Sequence, residues 1–318
     1  MFDTLLSNNR MKTELTRAIT LGRHMHAYLF CGADGSGKMT AAKLLARELV
    51  GANKDKADRG SHPDIFILAP EKDKKTITVD QVRNMRSDTF VNPSEGTKKV
   101  YIVDGMELMN ESGQNALLTI LEQPPSFAVF ILLSESREKV LPTVVSRCAV
   151  FEMEYVDAKE GADFLRKLYP DIDQEQLITS MTASEGNVGL AQKFLSNEQF
   201  DKNIQTAFTV AEYMADKKEY ELAKILTAIS KDEICDFLSI LCMVLRDILV
   251  LKTASDENLV FKQKILQNKS KFAKINSNVL YNGIYECEKA IELVRANISL
   301  LLIAPVLVIQ LIGGKQID

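Results

Sequence analysis

The stretch that decides the fold reads His26-Ala27-Tyr28-Leu29-Phe30-Cys31, then Gly32-Ala33-Asp34-Gly35-Ser36-Gly37-Lys38, then Met39-Thr40. The first run is apolar and short, as a buried strand requires. The middle has the spacing G-x-x-x-x-G-K. From Met39 to Val50, Ala42, Leu45, Ala46 and Leu49 fall on one helical face. Strand, glycine loop and helix form the context in which this spacing makes a phosphate-binding loop. The glycines let backbone N–H groups turn inward around phosphate oxygens. The helix N-terminus adds partial positive charge, and the lysine ammonium reaches the outer phosphates. The expected phosphate contacts are Gly32, Gly35, Ser36, Gly37 and Lys38.

The next position departs from the pattern. A phosphate loop normally places Ser or Thr directly after the lysine, where the hydroxyl holds Mg²⁺. Here that residue is Met39. A thioether is a poor ligand for a hard cation. Thr40 is the nearest hydroxyl and is retained as a candidate contact, but it is turned by about 100° along the helix. The loop therefore suits a bound nucleotide, ATP or ADP, better than it suits Mg²⁺-assisted hydrolysis.

Outward from the loop, apolar runs alternate with helical stretches up to about residue 152: Tyr28–Cys31, Ile65–Ala69, Val100–Val103, Val129–Leu133 and Val150–Met153. Such alternation predicts an α/β domain with a parallel sheet covered by helices. The run Lys99-Val100-Tyr101-Ile102-Val103-Asp104 ends in an aspartate. Asp104 has two readings: a Mg²⁺-associated carboxylate of the kind phosphate-loop ATPases use, or a cap for a helix over Glu107–Leu121. Gly105 follows it, where ring-forming ATPases usually carry a glutamate that polarises water. Beyond residue 152 the periodicity is helical, and Ile234–Leu251 is apolar enough to be buried on several sides.

Composition narrows the class. A chain of 318 residues with 46% hydrophobic content holds two or three domains. A net charge of −4 argues against a protein that coats DNA. The five cysteines are scattered without metal spacing and read as reduced thiols of a cytoplasmic protein. No secretory h-region opens the sequence, which fits the same expectation. The apolar segment Ile298–Ile312 is shorter than the roughly 20 residues a membrane span needs and is interrupted by Pro305 and Gln310. It reads as a buried helix at an interface, with no membrane partner.

Four further motifs add a family resemblance. They are Gln114-Asn115-Ala116-Leu117-Leu118, Leu121-Glu122-Gln123-Pro124-Pro125, Leu141-Pro142-Thr143 and Ser146-Arg147-Cys148. With His62-Pro63-Asp64, Val79-Asp80-Gln81-Val82-Arg83 and the late Leu245-Arg246-Asp247, they resemble the bacterial clamp-loader ATPases of the AAA+ class, and within them the δ′ branch. The resemblance covers the first ~190 residues by motif.

The resemblance implies a three-layer phosphate-loop domain over 1–155, a helical lid over 156–202 and an all-α collar for oligomerisation over 203–318. It also implies that Arg147 acts as an arginine finger on a neighbour's ATP, and that Ser134-Glu135-Ser136 includes the polar γ-phosphate sensor. The implied role is loading of the sliding clamp onto primed DNA within DNA polymerase III. Its partners would be γ/τ-like ATPase subunits and a δ-like clamp opener, with clamp and primer-template DNA met through the assembly.

Departures from the family pattern point the same way. The four-cysteine zinc module is missing between the loop helix and His62, so no zinc is expected. Gly186-Asn187-Val188-Gly189 resembles the lid-helix motif, but Gly189 stands where hydrolysing members carry an arginine. Met39, Gly105 and Gly189 together predict little or no intrinsic ATPase. The alternative of a hydrolysing γ/τ-like subunit requires Ser or Thr at 39 and an acid at 105. A stand-alone nucleotide kinase leaves the C-terminal helices and Ser146-Arg147-Cys148 without a role.

Overall fold

Five apolar runs form one parallel sheet: β1 Ala27–Cys31, β2 Ile65–Leu68, β3 Lys99–Asp104, β4 Ala128–Ser134 and β5 Ala149–Glu152. The computed structural model describes residues 1–51, 53–72, 74–196, 198–231, 233–253 and 259–313. The strand order is β2-β3-β4-β1-β5. Register is continuous across the centre, with Leu29 opposite Leu132 and Val150. The strands start and stop within a residue or two of the apolar runs that predict them.

Alternation along each strand explains the three layers, because successive side chains point to opposite faces. Tyr28, Phe30, Ile102, Ile131 and Leu133 pack on one face with Ala42, Leu45 and Leu49 of helix Lys38–Val50 and Met11 and Leu15 of helix Asn9–Thr20. Leu29, Cys31, Tyr101, Val103 and Leu132 pack on the other. There they meet Val82 of helix Val79–Thr89, Leu117 and Ile120 of helix Glu111–Glu122, and Val144 of the short helix Pro142–Val145. The α/β class is as the periodicity predicts.

Several motifs turn out to be fasteners of this unit. The Asp64 carboxylate is buried and accepts N–H bonds from Ser94, Glu95 and Gly96 at 2.6–2.8 Å. Burial alone would raise its pKa, but those three donors outweigh it and hold the carboxyl below the ordinary range. Gln114 is buried and bridges three segments: its amide nitrogen donates to Met106 O and Lys139 O, and its oxygen accepts from Leu141 N.

Contacts divide the chain into two compact units: Met1–Leu168 with Ser184–Leu190, and Tyr169–Ala183 with Ala191–Asp318. The described part of the second unit is helical. Its longest helix, Ile234–Thr253, carries Phe237, Leu238, Ile240, Leu241, Val244, Leu245 and Ile248 with no exposed surface. Asp247 of the same helix is also buried. It accepts from Val260 N and Phe261 N, and burial raises its pKa against those bonds. Helix Leu300–Leu311 buries Ile303, Ala304, Leu307, Val308 and Leu311 but leaves Leu301 and Leu302 about three-quarters exposed, at 74% and 70%. Among the described residues, no helix is long and apolar enough to cross a membrane.

Candidate functional site

The glycine loop joins β1 to the helix Lys38–Val50, as its sequence requires. Gly35 and Gly37 have φ of +80° and +91°, a region that other residues enter only with strain. Gly37 is the residue that starts the helix. Gly32 N donates to Ser134 O at 3.1 Å, which ties the loop to the end of β4. Ser36 Oγ is buried and has no hydrogen-bond partner, and an orphaned hydroxyl inside a glycine cradle fits a phosphate oxygen. Lys38 Nζ folds back on the loop and donates to Gly32 O at 2.5 Å and Ala33 O at 2.9 Å. Burial pushes its pKa below the usual lysine value, against the pull of Glu107, Asp34, Glu135 and Asp104.

The residues fit a phosphate better than a metal. Met39, the second residue of the loop helix, is half-buried and packs against the apolar core. Thr40 is exposed. Asp104 closes β3 beside Lys38, with its pKa raised by burial, opposed by Lys38 and reinforced by Glu107 and Asp34. Its capping alternative fails: Gly105, with φ +97°, turns the chain into a single 3-10 turn, Met106–Leu108. The helix begins at Glu111, where Asn110 Oδ1 accepts from Gly113 N at 2.8 Å.

Glu107, in the turn after β3, points to the end of β4. Its Oε2 lies 3.0 Å from Ser134 Oγ and 3.3 Å from Glu135 N. Ser134 Oγ is also 2.9 Å from Ser136 O. The Ser134 hydroxyl is thus engaged with a carboxylate and a backbone carbonyl of its own chain.

The segment Ser184–Leu190 covers the outer side of the loop. Asn187 Nδ2 donates to Asp34 O at 2.7 Å, and Gly189 N donates to Gly35 O at 3.0 Å. The two backbones touch: a Cβ on Gly189 would lie 2.5 Å from Gly35 Cα, and one on Gly35 would lie 2.6 Å from Asn187 Oδ1. The place for an arginine side chain at 189 is filled by the loop itself.

Arg147 sits elsewhere on the same unit. It follows the helix Pro142–Val145 and precedes β5. Because β5 runs parallel to β1, Arg147 lies at the end of the sheet where strands begin, and the loop lies where they end. A strand of this length separates the two ends by about 13 Å. Arg147 therefore does not serve its own loop. Its guanidinium is partly exposed, with NH1 donating to Thr143 O at 2.7 Å and NH2 to Glu122 Oε1 at 2.6 Å. Cys148 beside it packs on the core, and burial pushes its thiol up to about 12, so it is not a nucleophile.

The comparisons with known proteins bear on this arrangement. The sequence profile of a family described as DNA polymerase III, delta subunit, matches residues 7–157. The DNA polymerase III subunit δ′ of Pseudomonas aeruginosa is 33% identical over 183 residues, which are 54% of this chain and 56% of that protein. The subunit δ′ of Bacillus subtilis is 24% identical over 311 residues, 91% of this chain and 92% of that protein. These likenesses support a clamp-loader subunit. A third clamp-loader relative, the Bacillus subtilis τ subunit, is 29% identical over 189 residues, 55% of this chain and 32% of that protein.

Within one unit, the structure brings together Gly32, Gly35, Ser36, Gly37, Lys38 and Asp104. It sets Thr40 on the outside and Arg147 apart. No local pattern assigns a role to Glu107, Gln114, Glu122 or Asn187, although Gln114, Glu122 and Asn187 fall inside the quoted motifs. Their motif membership was the available signal. Their partners lie between 8 and 153 residues away, beyond any local pattern.

Proposed function

We propose that this clamp-loader chain is a δ′-type subunit that closes the ring without hydrolysing ATP and presents Arg147 to the nucleotide of a neighbouring ATPase subunit. Its role is to help load the sliding clamp onto primed DNA in the cytoplasm. Its partners are γ/τ-like and δ-like subunits, and clamp and primer-template DNA are met through the assembly. Segments 156–202 and 203–318 act as lid and collar. Leu301, Leu302 and Val306, all more than half exposed on helix Leu300–Leu311, suit burial against partner helices.

The observation that carries this reading is the division of labour within one unit. The loop has Met39 half-buried against the core, Gly105 after Asp104 and Gly189 pressed on Gly35. Arg147 stands anchored at the opposite end of the sheet. ATP or ADP is held through Ser36, Lys38 and the loop amides, without a Mg²⁺ ligand at 39. The γ/τ-like alternative has the τ likeness in its favour but meets the same three substitutions.

Two measurements test the proposal. The isolated chain turns over ATP far below about 1 s⁻¹, the lower end of ordinary enzymes. It also co-elutes stoichiometrically with the ATPase and clamp-opening subunits. Robust turnover alone, or failure to join the partners, contradicts it.

A further inference from the structure

Arg147 is anchored from two elements at once. One anchor is local: NH1 donates to Thr143 O at 2.7 Å and reaches Ser146 Oγ at 3.4 Å. The other comes from 25 residues away, where NH2 donates to Glu122 Oε1 at 2.6 Å. Arginine has five N–H donors, so these three bonds leave two for an incoming group. Glu122 is the last residue of helix Glu111–Glu122. It is followed by Gln123 and then Pro124-Pro125, which restrict the backbone where the helix ends. The same helix is fastened to the arginine's segment a second time, through Gln114 Oε1 and Leu141 N at 2.9 Å.

An ion pair this exposed, with side chains 33% and 50% accessible, adds little to stability. Its consequence is geometric. A guanidinium held at both NH groups keeps one plane and one extension, and a phosphate binds such a fork without first ordering a long side chain.

The geometry points to Glu122 as the positioning residue for Arg147 in the neighbour's ATP hydrolysis. This rests on the reading of Arg147 as a group that acts in trans. Glu122 touches no substrate; it works through Arg147. Were Glu122 instead a resting place that competes with the neighbour's phosphate, its removal would raise the rate.

The test uses the full chain in the complex reconstituted with its ATPase partners. Steady-state ATP hydrolysis is measured against ATP concentration for the parental complex, Arg147→Ala, Glu122→Ala, Glu122→Gln and the double variant Arg147→Ala/Glu122→Ala. Co-elution confirms that each variant assembles. We expect Glu122→Ala to lower kcat on the order of tenfold, short of the roughly 10²-fold that a misplacement of about 1 Å can cost, with KM little changed. Glu122→Gln regains most of the rate, because its amide oxygen still accepts the N–H. The double variant is no slower than Arg147→Ala alone, since Glu122 acts only through that residue. If Arg147→Ala is slow but Glu122→Ala runs at or above the parental kcat, the positioning role is overturned and the trans reading survives. Additive losses in the double variant, or a glutamine no better than alanine, also overturn it. A parental rate for Arg147→Ala overturns both readings.

Discussion

The phosphate loop and the Ser146-Arg147-Cys148 turn sit at opposite ends of the same sheet and use their polar groups in opposite ways. At the loop, polar groups are largely turned inward. Lys38 donates to carbonyls of the loop, Gly35 O accepts from Gly189 N, and the Ser134 hydroxyl lies against Glu107. At the turn, Arg147 is anchored on two sides and keeps two further N–H donors. The two sites are built on different connections of the same sheet. The loop depends on β1 and the Ser184–Leu190 segment. The arginine depends on helix Glu111–Glu122 and the chain entering β5.

Three substitutions break or sharpen that contrast. The largest effect is expected at Gly189. Gly189→Arg does not restore a γ-phosphate contact, because its Cβ would lie 2.5 Å from Gly35 Cα. It forces the loop and its cover apart at a cost of about 3 kcal/mol, the upper part of the overpacking range. Thermal unfolding checks this: a lower Tm with no ATPase is the expected result, and a parental Tm with new ATPase would mean that the cover is loose.

A smaller effect is expected on the arginine side. Gln114→Ala removes three bonds and leaves Leu141 N without its acceptor, which costs about 2 kcal/mol. Denaturant titration should show this loss. The complex should also hydrolyse ATP more slowly, while the nucleotide affinity of the isolated chain is unchanged.

The smallest effect is expected at Met39. Met39→Ser trims a half-buried side chain for about 1 kcal/mol. It does not start turnover, because Gly105 and Gly189 remain. Turnover appearing in this variant would show that the metal ligand alone was limiting.

Much of the fold and of the glycine loop is legible in the sequence, and the limits have physical causes. The strands could be read because burial on both faces demands continuous apolar runs such as Val100–Val103 and Val129–Leu133. The loop could be read because phosphate contact demands glycines at fixed spacing. The helix after Asp104 was placed too early, since the positive φ of Gly105 and the cap at Asn110 are details of backbone geometry. Glu107 against Ser134, Gly189 against Gly35 and Glu122 against Arg147 are tertiary contacts. Residue type permits them, and only the packed chain decides them.

The central claim is that the chain's own loop is dispensable for chemistry and its arginine is not. The direct measurement is steady-state ATP hydrolysis by complexes that carry either Lys38→Ala or Arg147→Ala in this subunit, with all other subunits unchanged. Lys38→Ala is predicted to hydrolyse at the parental rate. Arg147→Ala is predicted to lose the turnover of the neighbouring site, by about 10²-fold or more as for other transition-state donors. A slow Lys38→Ala complex beside a fully active Arg147→Ala complex would contradict the account.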